Sequence, residues 1–587
     1  MNQTKINKYS RSVSIVGVSC TPFMNTLDNP ETAGLTEGEM FGYAALKAME
    51  DAGVEPKDVD YYFHGEASPL NGSNYITPNV QVANWFGMKG KGSMHHSEAC
   101  CTGYLALEIA ANAVASGKYD CVLTGAVEFG DAVPTPSESV EQPKHPYKRD
   151  KMTMDKFLKT TSWIYDKTYA RPLMAPMELI YDDCAEDYVR TRGITPEQMD
   201  DTLNHMAINN RHNAVHNPLA ITHEEFEDIA KEKGFDNVMD YMRSPYNPKS
   251  GDFLRMEGIE RKCDGAAACI VIATEKIPEL CKNLRHKPIE IIGIGSAACE
   301  ASTPHFEINA TKEAVRQVYE LTGKSGDDLD IFFANDFIIT SHLYAAEIAG
   351  YLPYGEGWKY ICDGRTAFDG DKPINTNGGR TSFGHAHAAS GLADVYECCM
   401  QMRGECGEHQ VKKLPKTAML RGYGGSQNVA AIMLETVDDF EPSKEPAKES
   451  HLKLEKVVQT YYEGLEQGKL LGRKCKRCGA VEFPPVYACN TCGCDDTEWV
   501  ELSGKAVMKS IVLPAPLSSK PEYKERMGKY AYGVIETEEG AEFNGVVVGI
   551  SKKTRPELLD KLPLPVHAKI IDRDGGFKTV VYELDEQ

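Results

Sequence analysis

Four cysteines near the C-terminal end of the chain have the spacing of a metal site. Cys475 and Cys478 form one C-x2-C pair, and Cys489 and Cys492 form a second pair after ten intervening residues. Two such pairs can fold as tight knuckles that bring four thiolates into a tetrahedral shell around Zn²⁺. Because four thiolates leave no open coordination position, the spacing predicts one structural zinc ion per chain. Cys494, two residues further on, could substitute as a ligand.

A second group of residues could perform nucleophilic chemistry. Cys100 stands at the start of a predicted helix, where the helix dipole lowers the pKa of a thiol and stabilises the thiolate. Such a cysteine can attack a carbonyl carbon and hold the acyl group as a thioester. The alternative for any single cysteine is a buried structural role, so the prediction depends on the partners of Cys100.

Two polar residues in a later part of the chain could be those partners. His385 follows a glycine-rich segment, 377–384, at another predicted helix N-terminus, and Asn335 follows a short apolar strand, 331–333. A thiolate, an imidazole and an amide would together supply a nucleophile, a base and an oxyanion donor.

An internal repeat explains how residues so far apart in sequence could meet. A helix that ends at a glycine and is followed by two aspartates and a strand occurs twice, 270 residues apart, as Gly53, Asp58 and Asp60 and as Gly323, Asp328 and Asp330. A helix opening near Gly103 leads to the strand 121–127, and one opening near Gly391 leads to the strand 417–420. The repeat predicts an α/β fold of two pseudo-symmetric βαβ-rich halves, with functional loops of both halves at their seam.

Composition shifts divide the chain further. We expect an N-terminal half over 1–285, interrupted by an irregular insertion over 131–260, and a second half over 286–435. The charged, proline-containing segment 436–451 is interpreted as a linker. A helix with the four-cysteine ribbon should occupy 452–502, and alternating strands predict a small antiparallel barrel over 503–587.

Charge and hydropathy exclude some classes of protein. Hydrophobic residues make up 42% and charged residues 26% of the 587 residues, as in ordinary globular proteins. The net charge of −22 opposes binding to nucleic acid, which would repel it. No apolar run is long enough to span a bilayer, and because the first residues are polar we expect no signal peptide. Scattered cysteines in apolar segments are typical of reduced thiols, so we expect a cytoplasmic protein.

The candidate residues carry a resemblance to the thiolase superfamily, nearest to thiolases of the sterol-carrier-protein-X type. The family's Cys-Ala-Ser/Thr-Gly motif matches 100–103, its Gly-His-Pro motif matches 384–386 with alanine in place of proline, and its Asn-Glu-Ala-Phe motif matches 335–338. Residues 452–587 resemble the zinc-ribbon and OB-fold domains that accompany such thiolases. The resemblance implies a layered α-β-α-β-α thiolase fold, an OB-type barrel, and a homodimer or dimer of dimers.

The resemblance also implies roles for residues. Cys100 would take the acyl group, His385 would activate a thiol, and Asn335 would hold a water or the thioester oxygen. The N–H groups of Cys100 and of the loop containing Gly424 and Gly425 would bind the second oxyanion.

The chain departs from the family pattern at one catalytic position. Many thiolases carry a second cysteine as acid/base, but Gly422 holds that place and Phe337 stands where other relatives have one. The acid/base role stays open among Cys101, His387 and Tyr423, each of which could equally be a packing residue, or His385 could act alone.

The resulting prediction is a thiolase-like acyltransferase that makes or breaks a carbon–carbon bond next to an acyl-CoA thioester. Coenzyme A would be a substrate or product, and the fused ribbon-barrel would assist its binding. Two alternatives remain: an aldolase or an acyltransferase to a carbon nucleophile other than a CoA ester, and a non-catalytic acyl-CoA-binding scaffold.

Overall fold

A computed structural model describes residues 11–67, 77–129, 176–298, 306–424, 428–446, 450–515, 525, 527–573 and 575–585. Gly425 and the part of the predicted insertion over 131–175 lie outside these residues. The elements up to the end of the described insertion are β1 (Val13–Cys20), α1 (Glu37–Ala52), β2 (Tyr61–Gly65), α2 (Pro78–Val82), β3 (Gly92–His96), α3 (Thr102–Ala115), β4 (Cys121–Phe129), α4 (Pro176–Arg192), α5 (Pro196–Val215), α6 (Phe226–Glu232) and α7 (Val238–Met242).

The chain then closes the first half and forms the second. The elements are β5 (Asp264–Ala273), α8 (Ile277–Leu280), β6 (Ile289–Ala298), α9 (Phe306–Thr322), β7 (Ile331–Ala334), α10 (Thr340–Ile348), α11 (Gly357–Cys362), α12 (His387–Arg403), β8 (Thr417–Tyr423) and β9 (Asn428–Thr436). The predicted strands and helices of both halves are therefore present, with ends that differ by a few residues.

One nine-stranded mixed sheet joins the two halves. Its order is β3-β2-β4-β5-β1-β6-β9-β8-β7. Read outward from the β1–β6 pair, the order 1-5-4-2 of the first half corresponds to 6-9-8-7 of the second. The pair itself is antiparallel, with Ser14 opposite Glu290 and Ile15 opposite Ile289. This pseudo-symmetry confirms the fold class predicted from the repeat.

The repeated aspartates have the same task in each half. The carboxylate of Asp60 accepts hydrogen bonds from the N–H groups of Asp120 and Cys121, at 2.8 and 3.1 Å. The carboxylate of Asp330 accepts from those of Lys416 and Thr417, at 2.9 and 3.2 Å. Each aspartate thus fixes the start of the neighbouring parallel strand, which explains why the sequence repeats it.

The two repeated helices, α3 and α12, cross in close contact. A Cβ added to Gly103 would lie 2.7 Å from both the Ala388 carbonyl oxygen and the Leu392 nitrogen, and one added to Gly391 would lie 2.8 Å from the Tyr104 nitrogen. Since real Cβ atoms do not approach backbone so closely, the glycines permit this crossing. The crossing brings the N-terminal ends of α3 and α12, which carry the candidate residues, to one place.

The C-terminal part contains a ribbon and a barrel. Helix α13 (Val457–Glu466) precedes a three-stranded sheet of β10 (Leu471–Cys475), β11 (Val481–Glu482) and β12 (Thr497–Glu501). A closed barrel follows, in the order β13-β14-β15-β17-β16, from β13 (Lys505–Met508), β14 (Tyr530–Thr537), β15 (Glu542–Val548), α14 (Arg555–Leu559), β16 (Leu564–Arg573) and β17 (Phe577–Leu584).

The expectation of a purely antiparallel barrel is wrong in one pair. β15 and β17 run parallel, while the other four pairs of the barrel are antiparallel. A closed ring with an odd number of strands cannot alternate direction throughout, so five strands require at least one parallel pair.

The ribbon packs on the first half of the sheet domain. Val457 and Tyr487 are buried in the same cluster as Met40 and Phe41 of α1. The Val458 N–H donates to the Glu39 carboxylate at 2.8 Å. The ribbon therefore shares a core with α1. No helix in the described part of the chain combines the length and the apolar character needed to cross a bilayer.

Candidate active site

A strained turn presents Cys100 between β3 and α3. Ala99 has a φ of 48°, in the left-handed region that a residue with a Cβ rarely adopts. The Thr102 hydroxyl stabilises this turn, since it accepts from the Glu98 N–H at 2.8 Å and donates to the Ala99 carbonyl at 2.6 Å. Such strain is characteristic of functional sites. The turn leaves Cys100 partly exposed.

Two histidines from the second half meet the Cys100 sulfur. The sulfur and one ring nitrogen each of His385 and His387 lie within 4.8 Å of one another. His385 is fully buried, whereas the side chain of His387 is 15% exposed. The pseudo-symmetric seam thus brings Cys100 and His385 together, as the sequence predicted, and adds His387 from the group of open acid/base candidates.

The backbone before His385 is tightly wound. A short π-helical turn, Gly379–Phe383, ends at Gly384, whose φ is 116°. A Cβ at Gly384 would lie 2.7 Å from the Cys263 sulfur, so a side chain at this position would be both strained and crowded. Beyond the turn, His385 Nδ1 lies 2.9 Å from the Ser390 hydroxyl of α12, which fixes the plane of the ring.

A carboxylate that sequence reasoning missed faces both histidines. Glu260 lies with Oε2 3.3 Å from His385 Nε2 and Oε1 3.9 Å from His387 Nε2. Burial opposes its ionisation, but positive charge on the neighbouring imidazoles and on Lys262 outweighs burial and lowers the pKa of Glu260. Burial lowers the pKa of His385 well below its usual value. The Glu260 carboxylate and the two imidazoles therefore titrate as one coupled group, in which the carboxylate can stabilise an imidazolium as that forms.

Glu260 had one signal in the sequence. It is an acidic residue four positions before the buried, apolar strand that begins at Asp264. Its isolated position in a charged loop gave no spacing that pointed to His385, because their contact depends on the two halves folding together.

Two hydrogen bonds to the backbone hold the Asn335 amide. Its amide nitrogen donates to the Tyr423 carbonyl at 2.7 Å, and its amide oxygen accepts from the Phe337 N–H at 3.2 Å. It is fully buried. These bonds tie the loop after β7 to the end of β8, so the amide has at least one positioning task besides any contact with substrate.

The other acid/base candidates are core residues. Cys101 is fully buried, and burial raises the pKa of its thiol. Tyr423 is also fully buried, with its ring stacked on Phe337 at 5.6 Å, and burial raises the pKa of its hydroxyl. A Cβ at Gly422 would lie 2.3 Å from the Tyr104 ring, so that ring fills the space into which a cysteine side chain would point.

Gly424 packs directly under the nucleophile turn. A Cβ at this position would lie 2.6 Å from the Glu98 carbonyl oxygen and 2.9 Å from the Cys101 nitrogen. Its N–H donates to the Asn428 carbonyl at 3.0 Å, so this N–H is not a donor for an oxyanion. The companion residue in the oxyanion prediction, Gly425, lies outside the described residues.

The four ribbon cysteines converge as a metal site requires. The sulfur atoms of Cys475, Cys478, Cys489 and Cys492 all lie within 4.8 Å of one another. The Cys475–Cys492 and Cys478–Cys489 distances are both 3.6 Å, near the roughly 3.8 Å separation of sulfurs around tetrahedral zinc.

Glycines close the two knuckles of this ribbon. Gly479 and Gly493 have φ values of 78° and 75°, and their N–H groups donate to the carbonyls of Cys475 and Cys489. Cys494 is buried beside the cluster, with its sulfur 4.0 Å from the Asp496 carbonyl, and is not among the four converging sulfurs.

Comparison with known families matches three domain models to this chain. Residues 13–252 match the model of the thiolase N-terminal domain, and 297–435 match the thiolase C-terminal domain-like model. Residues 463–498 match the ChsH2 rubredoxin-like zinc ribbon domain. The three models follow one another along the chain without overlap.

Individual proteins are similar over the same region. An acetyl-CoA acetyltransferase of Methanothermobacter thermautotrophicus is 28% identical over 423 residues, which cover 72% of this chain and 98% of that protein. Sterol carrier protein 2 of Bos taurus is 26% identical over 413 residues, or 68% of each chain. Among solved structures, an Ltp2-ChsH2(DUF35) aldolase has a TM-score of 0.55 and 20% identity, covering 73% of this chain and 99% of that one.

Proposed function

Because this chain belongs to the thiolase superfamily, with a zinc ribbon fused to its C-terminal side, we propose that it is a thiolase-type acyltransferase acting on acyl-CoA through an acyl-cysteine intermediate. The observation that carries the proposal is the meeting of the Cys100 sulfur with the imidazoles of His385 and His387, backed by the Glu260 carboxylate.

In the cleavage direction, His385 accepts the thiol proton of Cys100, and the thiolate attacks the keto carbon of a 3-ketoacyl-CoA. The bond between that carbon and the α-carbon breaks, and the electron pair leaves as the enolate of an acyl-CoA. A proton from an imidazolium goes to the enolate carbon. A CoA thiol then gives its proton to the freed imidazole and attacks the thioester, which releases acyl-CoA and returns the proton to Cys100. The synthetic direction is the reverse.

His387 takes the acid/base role that a second cysteine fills in many thiolases. It lies within reach of the Cys100 sulfur, keeps partial contact with solvent, and shares Glu260 with His385. Cys101 and Tyr423 are less suited, because burial raises the pKa of each. Glu260 is a positioning residue that stabilises the positive charge on whichever imidazole holds the proton.

The four ribbon cysteines would hold one structural zinc ion, which would fix the two knuckles. The ribbon and barrel would assist CoA binding, and the active form would be a homodimer or dimer of dimers. The position of β3 at the outer edge of the sheet, with Met94 39% exposed, supports an assembly through this edge.

The test uses purified full-length protein, a panel of 3-ketoacyl-CoAs beginning with acetoacetyl-CoA, and free CoA. The proposal predicts consumption of one CoA thiol per carbon–carbon bond broken, and loss of this reaction in Cys100→Ser and His387→Ala. Cys362→Ser, at the end of α11 and partly exposed like Cys100, serves as the control. A parallel panel of 3-hydroxyacyl-CoAs tests the aldolase alternative: cleavage of one of them to an aldehyde or ketone and an acyl-CoA, without consumption of free CoA, would replace the proposal by that alternative. Binding of acyl-CoA without turnover across the panel would replace it by the scaffold alternative.

A further inference from the structure

A second cluster of titratable side chains lies on the α1 side of β2. Glu37 opens α1, and His64 and Glu66 lie two residues apart at the end of β2. One ligand atom of each lies within 4.8 Å of those of the other two. All three side chains are more than nine-tenths buried, with exposures of 7% for Glu37, 0% for His64 and 4% for Glu66.

The strand geometry explains this convergence. Successive side chains of a strand point to opposite faces. The ring of His64 stacks on Phe41 of α1, with centroids 4.3 Å apart, whereas a Cβ at Gly65 would meet Thr102 of α3 at 2.8 Å. His64 and Glu66 therefore share the face that is covered by the first turn of α1, where Glu37 lies.

Glu37 and His64 lack the hydrogen bonds that buried polar atoms normally have. Within the described residues, neither carboxylate oxygen of Glu37 and neither ring nitrogen of His64 has a hydrogen-bond partner. Yet Glu37 Oε1 and His64 Nε2 are only 2.9 Å apart. Two atoms that approach without hydrogen-bond alignment can point at a common ion, since ligands about 2.1 Å from a metal stand roughly 3.0 Å apart at 90° and roughly 3.4 Å apart at the tetrahedral angle.

The charges support the same conclusion. Two buried carboxylates within 4.8 Å of one imidazole repel each other, and burial strengthens that repulsion. A divalent cation between them would remove the repulsion and satisfy the orphaned oxygens and nitrogens at once.

A fourth donor lies next to the three. His95 is paired with His64 in the parallel register of β3 and β2, so its side chain is on the same face. Its Nε2 lies 3.7 Å from Glu66 Oε2. Imidazole and carboxylate donors together favour first-row transition ions such as Zn²⁺ over Mg²⁺ and Ca²⁺, which prefer oxygen alone.

We propose that Glu37, His64 and Glu66, with His95 as a fourth ligand, bind a divalent first-row transition metal ion of the Zn²⁺ type, separate from the ribbon zinc. The ion would clamp α1 to the ends of β2 and β3. The last residues of β3 lead directly to the turn that carries Cys100, and the Ser97 hydroxyl bonds the Ala67 carbonyl at 2.8 Å. The ion would therefore fix the entry to the nucleophile turn without touching the reacting atoms.

Metal content tests the proposal directly. Full-length protein, loaded with Zn²⁺ and freed of weakly bound ion by desalting, should retain about two metal ions per chain, counting the ribbon site. His64→Gln and Glu37→Gln should each retain about one. His96→Gln, which alters the neighbouring histidine on the other face of β3, should retain about two. Cys478→Ser, which disables the ribbon, should also retain about one, and the double variant with His64→Gln should retain none.

Cobalt distinguishes the two sites by their donors. Co²⁺ in the ribbon should show thiolate-to-metal charge transfer, whereas the ion that remains in Cys478→Ser should show only the weaker bands of a nitrogen and oxygen site. Circular dichroism identifies any variant that fails to fold. If either His64→Gln or Glu37→Gln does not fold, the metal content of the other variant tests the proposal. About one ion per chain in the wild type, together with none in Cys478→Ser, would overturn the proposal.

Discussion

Replacement of Glu260 by glutamine gives the sharpest test of the active-site geometry. The change keeps the shape of the side chain and removes its negative charge. If one imidazole carries a proton during the reaction, that charge lies 3.3 or 3.9 Å from a carboxylate oxygen of Glu260. At an effective dielectric constant of about 20, Coulomb's law gives an attraction of about 4–5 kcal/mol at these distances.

The expected loss in rate follows from that attraction. Each 1.36 kcal/mol corresponds to a tenfold change in rate, and the residual dipole of glutamine with nearby solvent recovers part of the lost energy. Glu260→Gln should therefore lower kcat for carbon–carbon bond cleavage by about 10²- to 10³-fold. The acidic limb of the kcat/KM profile should also move to lower pH, because removal of an anion lowers the pKa of the neighbouring imidazole.

A matched control separates charge from folding. Glu257 lies three residues earlier and pairs with Arg211 and Arg261, at 3.3 and 2.5 Å. Glu257→Gln should destabilise the loop but leave the position of the pH limb unchanged. The assay is thiolysis of a 3-ketoacyl-CoA over a pH series, with circular dichroism of each variant. A Glu260→Gln protein with kcat within about twofold of wild type and an unshifted limb would refute the charge-support reasoning.

Three further predictions concern the fused ribbon. Cys489→Ser should reduce the zinc bound at the ribbon to near zero, by metal analysis, and should unfold the knuckles, by proteolysis, since metal binding supplies folding energy. Knuckles that resist proteolysis without metal would contradict this. Tyr487→Ala should lower the free energy of unfolding, measured with urea, by about 3–5 kcal/mol, because the side chain is 1% exposed in a core shared with α1. Tyr487→Phe should lower it by only about 1 kcal/mol, because it removes only the hydrogen bonds between the hydroxyl and the Glu455 backbone. Burial raises the pKa of Glu39 from 4.5 to about 7, although the Val458 and Thr36 N–H groups donate hydrogen bonds to its carboxylate. The contribution of Glu39 to stability is therefore full below about pH 4.5 and is lost as the pH rises through about 7. Between about pH 5 and about pH 8 the urea midpoint should fall less in Glu39→Gln than in wild type, and equal falls would contradict the assignment.

Much of the fold could be predicted because the sequence repeats itself. Asp60 and Asp330 perform one backbone task twice, and Gly103 and Gly391 mark one helix crossing from both sides. The ribbon was equally predictable, since four thiolates at that spacing have few other uses.

The rest of the site could not be predicted from local patterns. Glu260 approaches His385 only after the two halves assemble, and its own segment carries no spacing rule. His387 is preferred to Cys101 and Tyr423 because it is less buried. The sequence does not reveal how deeply each of these side chains is buried. The second cluster likewise joins separate elements: Glu37 of α1 contacts His64 of β2, and His95 of β3 contacts Glu66 after β2.

Intact mass spectrometry of the acid-quenched protein tests the central claim most directly. During turnover of a 3-ketoacyl-CoA with CoA held limiting, we expect a mass increase equal to one acyl group, located on the peptide that contains Cys100 and absent from Cys100→Ser. Rapid carbon–carbon bond cleavage with no acyl adduct on Cys100, or with full activity in Cys100→Ser, would contradict it.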